Sequence, residues 1–168
     1  MKIRMAAFAL AAAFSSGIAS AQMTFQAVLT GTQEVPPNAS TATGFGTVVL
    51  NAAQNQITVD ESWSGLSSAA TASHIHGPAS PGVNAAVIFP FSGVPAATSG
   101  SIPEQSFLIN ATQVSQLESG LFYMNVHDAT FPGGEIRGQL LLVPEPSTWA
   151  LALLAAGGLL WSIRRRAK

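Results

Sequence analysis

The sequence predicts an all-β fold, an antiparallel β-sandwich of about eight strands with one short helix. Short runs of β-branched, aromatic or alternating apolar residues recur between clusters of Gly, Pro, Asn and Ser. The 168-residue chain contains 15 glycines and 10 prolines, which is typical of a protein with many turns. One segment, residues 111–119, has both the start and the stop signal of a helix.

The predicted strands follow one another along the chain and are separated by short turns. They span residues 24–30, 46–50, 57–63, 72–76, 83–89, 106–110, 121–127 and 135–143. The predicted helix begins after Asn110, a good N-cap, and ends at Gly120, because glycine readily adopts the conformation that terminates a helix. Strands of this length are typical of a sandwich.

Residues 57–63 form the clearest of these strands. Ile57, Val59 and Trp63 share one face, so this face is predicted to pack in the core, with Trp63 as its largest side chain. Asp60 and Glu61 are adjacent and therefore point to opposite faces, which excludes a carboxylate pair acting on one substrate. We expect Asp60 to be solvated and Glu61 to lie at a sheet edge.

The beginning of the chain has the pattern of a secretory signal peptide. Lys2 and Arg4 precede an apolar stretch, and Ala19-Ser20-Ala21 provides the small residues of a cleavage site. We expect signal peptidase to remove residues 1–21. The remaining residues 22–143 are enough for one domain with a modest core.

Residues 144–168 form a second targeting segment. It combines Pro144-Glu145-Pro146, an apolar run over residues 148–163, and the cluster Arg164-Arg165-Arg166. Prolines end regular structure, the apolar run is predicted to enter a membrane as a transmembrane helix, and the arginines favour the cytoplasmic side. The run of about 16 residues is shorter than the roughly 20 that a spanning helix needs.

This combination resembles the PEP-CTERM sorting signal of Gram-negative bacteria. The resemblance implies that the C-terminal helix anchors the exported chain transiently in the inner membrane. It also implies that an exosortase recognises and removes the signal, and that the protein reaches the cell surface or an exopolysaccharide matrix. A permanent single-span anchor is the alternative.

The charge and cysteine content of residues 22–143 exclude several classes of function. This segment has seven acidic side chains and one basic side chain, Arg137, giving a formal net charge of −6. Such a surface repels phosphate backbones and anionic lipids, so we expect no binding of nucleic acid. The chain has no cysteine, which excludes thiolate metal sites and thiol catalysis. Cations and neutral polymers are the expected partners.

The three histidines of the chain lie in two short segments and suggest a metal site. His74 and His76 are two residues apart on a predicted strand, so their side chains point to the same face, roughly 6.6 to 7 Å apart. His127 ends another predicted strand, which a neighbouring position in the sheet would bring to the first pair. Three imidazoles suit zinc or copper and leave a position open for water or substrate. Structural histidines, hydrogen-bonded to the backbone or to Asp128, are the alternative.

Three carboxylates and one arginine are candidate partners of these histidines. We expect Asp128 or Glu135 to hold the second ring nitrogen of a ligand histidine, as metal-bound histidines usually require. Arg137 is expected to form an ion pair with Glu135, which lies on the same face of the predicted strand, or with Glu34. An arginine that faces a ligand is the alternative.

Five motifs occur in order along residues 25–140. They are Phe25-x-Ala27-x-Leu29-x-Gly31-x-Gln33-Glu34-Val35-Pro36-Pro37, Gly44-x-Gly46, His74-Ile75-His76-Gly77-Pro78-Ala79, Gly120-Leu121-Phe122-Tyr123-Met124-Asn125-Val126-His127 and Pro132-x-Gly134-Glu135-Ile136-Arg137-Gly138-Gln139-Leu140. Together they resemble the CHRD domain, which was first noted in chordin. The resemblance implies an extracellular β-sandwich-like module without an assigned catalytic activity.

The arrangement of the histidines is also similar to the copper ligands of copper–zinc superoxide dismutase, another β-sandwich. The chain lacks the bridging fourth histidine and the cysteines of that family, so dismutase activity is not expected. The sequence thus favours an immunoglobulin-like or superoxide-dismutase-like sandwich that acts by binding a matrix polysaccharide, a matrix protein or a metal ion, and not as an enzyme. The alternative is a mononuclear copper or zinc protein with redox or hydrolytic activity.

Overall fold

The structure, a computed structural model, describes residues 21–144. Its ten strands are Met23–Thr30 (β1), Thr43–Leu50 (β2), Gln56–Ser64 (β3), Ala70–His76 (β4), Val87–Pro90 (β5), Gly100–Ser101 (β6), Gln105–Leu108 (β7), Tyr123–Asp128 (β8), Ile136–Gln139 (β9) and Leu141–Leu142 (β10). One α-helix, Ala111–Glu118 (α1), precedes β8. The predicted signal-peptide residues 1–20 lie outside the described residues. Most of the predicted sorting signal also lies outside the described residues, including Glu145, Pro146, Arg164, Arg165 and Arg166.

All ten strands belong to one antiparallel sheet. The strand order is β5-β4-β8-β9-β1-β2-β3-β6, with β10 paired to β1 and β7 paired to β3. The sheet curls until its two ends face each other. This is shown by the hydrogen bond between Ser73 on β4 and Glu61 on β3, which crosses the interior. The predicted antiparallel all-β fold with one short helix is confirmed, and its two layers come from one curled sheet.

The core lies between these two layers and follows the predicted alternation of the strands. On β1, Phe25, Ala27 and Leu29 are buried while the residues between them are exposed. Trp63 is 4% exposed, as expected of a large core side chain. The apolar core cluster extends from Phe25 to Leu140. Residues 22–143 therefore contain a complete hydrophobic core and are expected to fold on their own.

The helix agrees closely with the prediction. The Asn110 side chain accepts a hydrogen bond from the Gln113 backbone N–H, and the Gln113 side chain accepts one from the Asn110 N–H, which makes a capping box. Val114 and Leu117 face the core. Gly120, with φ of 68°, ends the helix in the left-handed conformation that glycine tolerates best. No helix within residues 21–144 is long and apolar enough to cross a membrane.

Three parts of the strand prediction differ from the structure. The strand predicted at residues 83–89 begins only at Val87, since the preceding residues form a loop that hydrogen-bonds to side chains of the sheet. The strand predicted at residues 135–143 is divided into β9 and β10, which pair with different neighbours. The two-residue strand β6 was not predicted.

Candidate metal centre

The three histidines meet on the face of the sheet that points away from the core. Strands β4 and β8 are neighbours, with His74 opposite Asn125 and Ala72 opposite His127. Ser73 and Ile75 point into the core, so the alternation of β4 places His74 and His76 on the other face. The ring centroids of His74 lie 5.5 Å from His76 and 5.0 Å from His127. The structure thus brings together the three residues that the sequence singled out.

Backbone carbonyls fix the orientation of two of these rings. The Nδ1 atom of His76 lies 2.9 Å from the Ala85 carbonyl oxygen, and that of His127 lies 3.0 Å from the Pro132 carbonyl oxygen. A carbonyl only accepts, so in each ring Nδ1 carries the proton. This is the arrangement that metal-binding histidines usually show. Nε2 of His76 then keeps a lone pair without a partner, whereas Nε2 of His127 faces the side-chain oxygen of Asn125 at 3.1 Å.

Two ring nitrogens of the cluster are buried without a hydrogen-bond partner. They are Nδ1 of His74 and Nε2 of His76. Burying an unpaired polar atom costs roughly 1 to 3 kcal/mol. A metal ion between the rings would take up these lone pairs.

The electrostatics of the cluster keep the rings neutral. Burial lowers the pKa of His74 to about 4, with further lowering from the nearby His127 and His76 rings. Burial also lowers the pKa of His76 and of His127. Neutral rings at pH 7 are the form that binds metals, because the lone pairs are not protonated.

The ring nitrogens are close enough to converge on one ion after a small adjustment. One nitrogen from each ring lies within 4.8 Å of the others. Nitrogens at about 2.0 to 2.1 Å from a tetrahedral zinc ion are separated by roughly 3.4 Å. Binding would therefore draw the rings together by an ångström or so. His127 would also give up its 3.1 Å contact between Nε2 and the side-chain oxygen of Asn125.

A stack of three side chains supports the cluster from one side. The His76 ring lies parallel to the Tyr123 ring with centroids 4.8 Å apart. The guanidinium carbon of Arg137 lies 3.3 Å from the Tyr123 centroid, which is a cation–π contact. The Tyr123 hydroxyl accepts a hydrogen bond from the Ala85 N–H, so Tyr123 also holds the residue that orients His76.

The structure differs from expectation for Asp128 and Glu135, because neither carboxylate is hydrogen-bonded to a histidine ring. Asp128 accepts hydrogen bonds from the backbone and hydroxyl of Ser68 and from the Phe131 N–H. Glu135 accepts from the backbone and hydroxyl of Ser67 and from the Ser40 hydroxyl. Both carboxylates therefore tie loops to the sheet, on either side of the turn that carries the Pro132 carbonyl.

The expected ion pair of Arg137 is also replaced by other contacts. Its guanidinium donates to the Val83 carbonyl oxygen at 2.8 Å and to the Asn84 side-chain oxygen at 3.2 Å. Within residues 21–144 it has no hydrogen bond to Glu34 or Glu135. Glu34 is 4% exposed and its Oε1 atom is buried without a partner. Burial raises the pKa of Glu34 to about 7, although the charge of Arg137 opposes this.

Comparison with protein families agrees with the motifs. Residues 25–140 match the CHRD domain, and residues 142–166 match the PEP-CTERM protein-sorting motif. The chain belongs to the CHRD family. No curated protein and no solved structure matches it. The predicted resemblances to the CHRD domain and to the PEP-CTERM signal are confirmed.

The PEP-CTERM motif makes this CHRD protein a substrate for exosortase processing and directs it to export and the cell surface. The CHRD family is not a known enzyme family. The function of this CHRD domain therefore has to be argued from its own side chains.

The carbonyl oxygens of Ala85 and Pro132, which orient two of the histidine rings, could not be predicted from the sequence, since every residue has the same backbone oxygen.

Proposed function

We propose that this protein is an exported surface module whose CHRD domain, residues 22–143, binds one zinc or copper ion through His74, His76 and His127. One observation carries the proposal. Three neutral imidazoles lie together on the same face, two of them have Nδ1 held by a carbonyl, and Nδ1 of His74 and Nε2 of His76 lack partners. Imidazole ligands suit zinc and copper better than calcium or magnesium.

A purely structural role accounts less well for this arrangement. Structural histidines bury their rings when both nitrogens find partners. Here the rings crowd together, and the His127 and His76 rings disfavour protonation of His74. The fold thus buries Nδ1 of His74 and Nε2 of His76 without partners, and a bound cation would offset that cost.

The targeting segments set the place of action in this proposal. Residues 1–21 are removed by signal peptidase at the inner membrane of a Gram-negative cell. Residues 144–168 then anchor the chain transiently until exosortase releases it to the surface or an exopolysaccharide matrix. The match of the sorting motif to residues 142–166 supports this route. Matrix polysaccharides and proteins are the partners available there.

A metalloenzyme is the second candidate, because three protein ligands leave a coordination position open. Catalytic zinc sites have this pattern of three protein ligands and one water. A copper ion in the same site would supply redox chemistry, and a zinc ion hydrolytic chemistry. The side chain within hydrogen-bonding distance of a ring nitrogen is the amide of Asn125, which neither accepts nor releases a proton in a hydrolytic cycle. Binding is therefore the leading proposal.

Metal content of residues 22–143 tests the proposal directly. The purified domain is stripped with chelator, exposed to zinc or copper, desalted and measured by mass spectrometry. We expect about one equivalent per chain. The variant His74→Ala/His76→Ala/His127→Ala should retain none, while Thr112→Ala on the exposed side of α1 should bind like the parent. Equal metal in the parent and the triple variant, or none in either, would overturn the metal site.

Activity separates the two candidates once metal is bound. The zinc form is assayed against activated esters and phosphate esters, and the copper form for redox turnover. Turnover that is lost in the triple-alanine variant would favour the enzyme. Stoichiometric metal without turnover would favour the binding module.

A further inference from the structure

A cleft of about 340 Å³ opens beside the metal centre and contains none of its histidines. It is lined by the loop after β1, by residues 81–82 and by two side chains of β9. The residues that matter for its chemistry are Gln33, Glu34, Pro37, Pro81, Arg137 and Gln139. The volume lies in the range of small-molecule sites.

Two glutamines in the cleft present acceptor atoms. The amide nitrogen of Gln33 donates to the Val28 carbonyl at 2.7 Å, and that of Gln139 donates to the Ala79 carbonyl at 2.9 Å and the Gly120 carbonyl at 2.6 Å. These bonds fix both amides and occupy their donors. The side-chain oxygens of Gln33 and Gln139 are left to accept hydrogen bonds from a ligand.

The cleft also holds one cation and one acid. Arg137 is clamped by Val83, Asn84 and the Tyr123 ring, yet only two of its five N–H groups have acceptors. Glu34 is 4% exposed, and its Oε1 atom has no partner. Arg137 is 1% exposed, and burial leaves Glu34 partly protonated at pH 7, so the cleft presents little accessible charge to an anion or a cation.

The remaining lining is apolar and rigid. Pro37 and Pro81 both line the cleft, and neither ring can rotate away. A ligand that fits must therefore combine an apolar C–H surface with several hydroxyl donors and a few acceptor oxygens, and must have no net charge.

We propose that this cleft binds a neutral hexose, either free or as one unit of a polysaccharide. Its hydroxyl groups donate to the side-chain oxygens of Gln33 and Gln139, and the C–H face of the ring packs on the prolines. Arg137 and Glu34 are buried beneath the cleft and do not contact the sugar directly. The proposal does not require the metal site, and the two are tested separately.

The first test is an NMR titration of residues 22–143, kept metal-free with chelator, with glucose, galactose and mannose. A single sugar unit making few contacts binds with a Kd of roughly 1 to 10 mM, so titration to about 100 mM reaches saturation. We expect at least one hexose to shift the side-chain amide signals of Gln33 and Gln139. Absence of shifts with all three hexoses, or shifts confined to other regions, would overturn the proposal. Binding of galacturonate but of no neutral hexose would do the same.

Filling the cleft provides the matched control. Thr32→Trp places an indole at an exposed position on the rim and should weaken hexose binding at least about 10-fold. Thr112→Trp makes the same change on exposed α1 and should bind like the parent. Equal binding by both variants would contradict the cleft as the site. Electrophoresis through gels containing neutral glucan, galactan or mannan then distinguishes a polysaccharide ligand from a free sugar. Retardation of the parent that Thr32→Trp abolishes identifies a polysaccharide ligand. If no gel retards the parent, the ligand is the free sugar.

Discussion

The carboxyl group of Glu61 is hydrogen-bonded to the hydroxyl group of Ser73 across the centre of the core. The Ser73 oxygen also lies 2.9 Å from the backbone oxygen of Asn125. A serine hydroxyl has one proton and cannot donate to both oxygens. A protonated Glu61 that donates to Ser73, which in turn donates to Asn125, satisfies both contacts. Complete burial accordingly raises the pKa of Glu61 to about 8, although the bond to Ser73 opposes the shift.

Glu61 should make the protein less stable as the pH rises. Its pKa is 4.5 when unfolded and about 8 when folded, so between these values the folded state binds the extra proton. The contribution of Glu61 to the free energy of unfolding is therefore largest below pH 4.5. It falls by up to about 1.4 kcal/mol per pH unit until about pH 8. Glu61→Gln removes the titration and keeps an N–H donor for the Ser73 oxygen.

Urea unfolding of residues 22–143 at pH 5, 6, 7 and 8 measures this effect. The free energy of unfolding of the parent should fall relative to that of Glu61→Gln as the pH rises across the series. Glu34 and the histidines also have shifted pKa values, but they titrate in both proteins and cancel in this difference. Asp60→Asn, at the exposed neighbouring position, should keep the slope of the parent. Parallel profiles for the parent and Glu61→Gln would show that Glu61 is ionised in the folded protein.

Tyr123→Phe should weaken metal binding without altering a ligand. The substitution removes the hydroxyl that accepts from the Ala85 N–H at 3.1 Å, and Ala85 orients His76. Loss of such an outer partner typically lowers metal affinity by about 10-fold or more. The stability cost should be about 1 kcal/mol. Competition with a chromophoric zinc chelator measures the affinity, and an unchanged value would remove Tyr123 from the support of the site.

The convergence of the histidines could be predicted because it depends only on the alternation of strands. His74 and His76 share a face in any regular strand, and pairing of β4 with β8 brings His127 beside them. The same alternation places Glu61 with Val59 and Trp63 on the buried face. The prediction of Glu61 at a sheet edge was wrong, because a charged residue type is seldom buried completely and this one is buried as the neutral acid.

The partners of Arg137 and of the histidine rings could not be predicted in the same way. A sole cation in an acidic domain is expected to pair with a carboxylate. Its position on β9 instead places it diagonally across from Tyr123 on β8, within reach of an aromatic face. The oxygens that hold the rings belong to the backbone of loops, and loop conformation depends on contacts distant in sequence.

Asn110→Ala should lower stability and leave the metal site unchanged. The variant loses both hydrogen bonds of the capping box with Gln113, at 3.0 and 3.1 Å. The expected cost is about 1 kcal/mol, measured by thermal or urea unfolding, and Asn110→Ser should recover most of it. This variant matches Tyr123→Phe in stability cost, so a zinc affinity equal to that of the parent shows that mild destabilisation alone does not impair the site.

Gly138→Ala should be the most damaging of these substitutions, because β9 lies close against β1. A Cβ atom at this position would lie 2.5 Å from the Val28 carbonyl oxygen and 2.8 Å from its carbon, and a backbone cannot rotate aside as a side chain can. We expect a loss of about 1 to 3 kcal/mol in urea unfolding. Gly133→Ala is the matched control, since no atom lies within 4 Å of its added Cβ, and it should be neutral or stabilise by up to about 1 kcal/mol. Equal stability of the two variants would mean that β9 can move away from β1. In that case Arg137 and Gln139, which flank Gly138, are held less firmly than the bonds of the cleft imply.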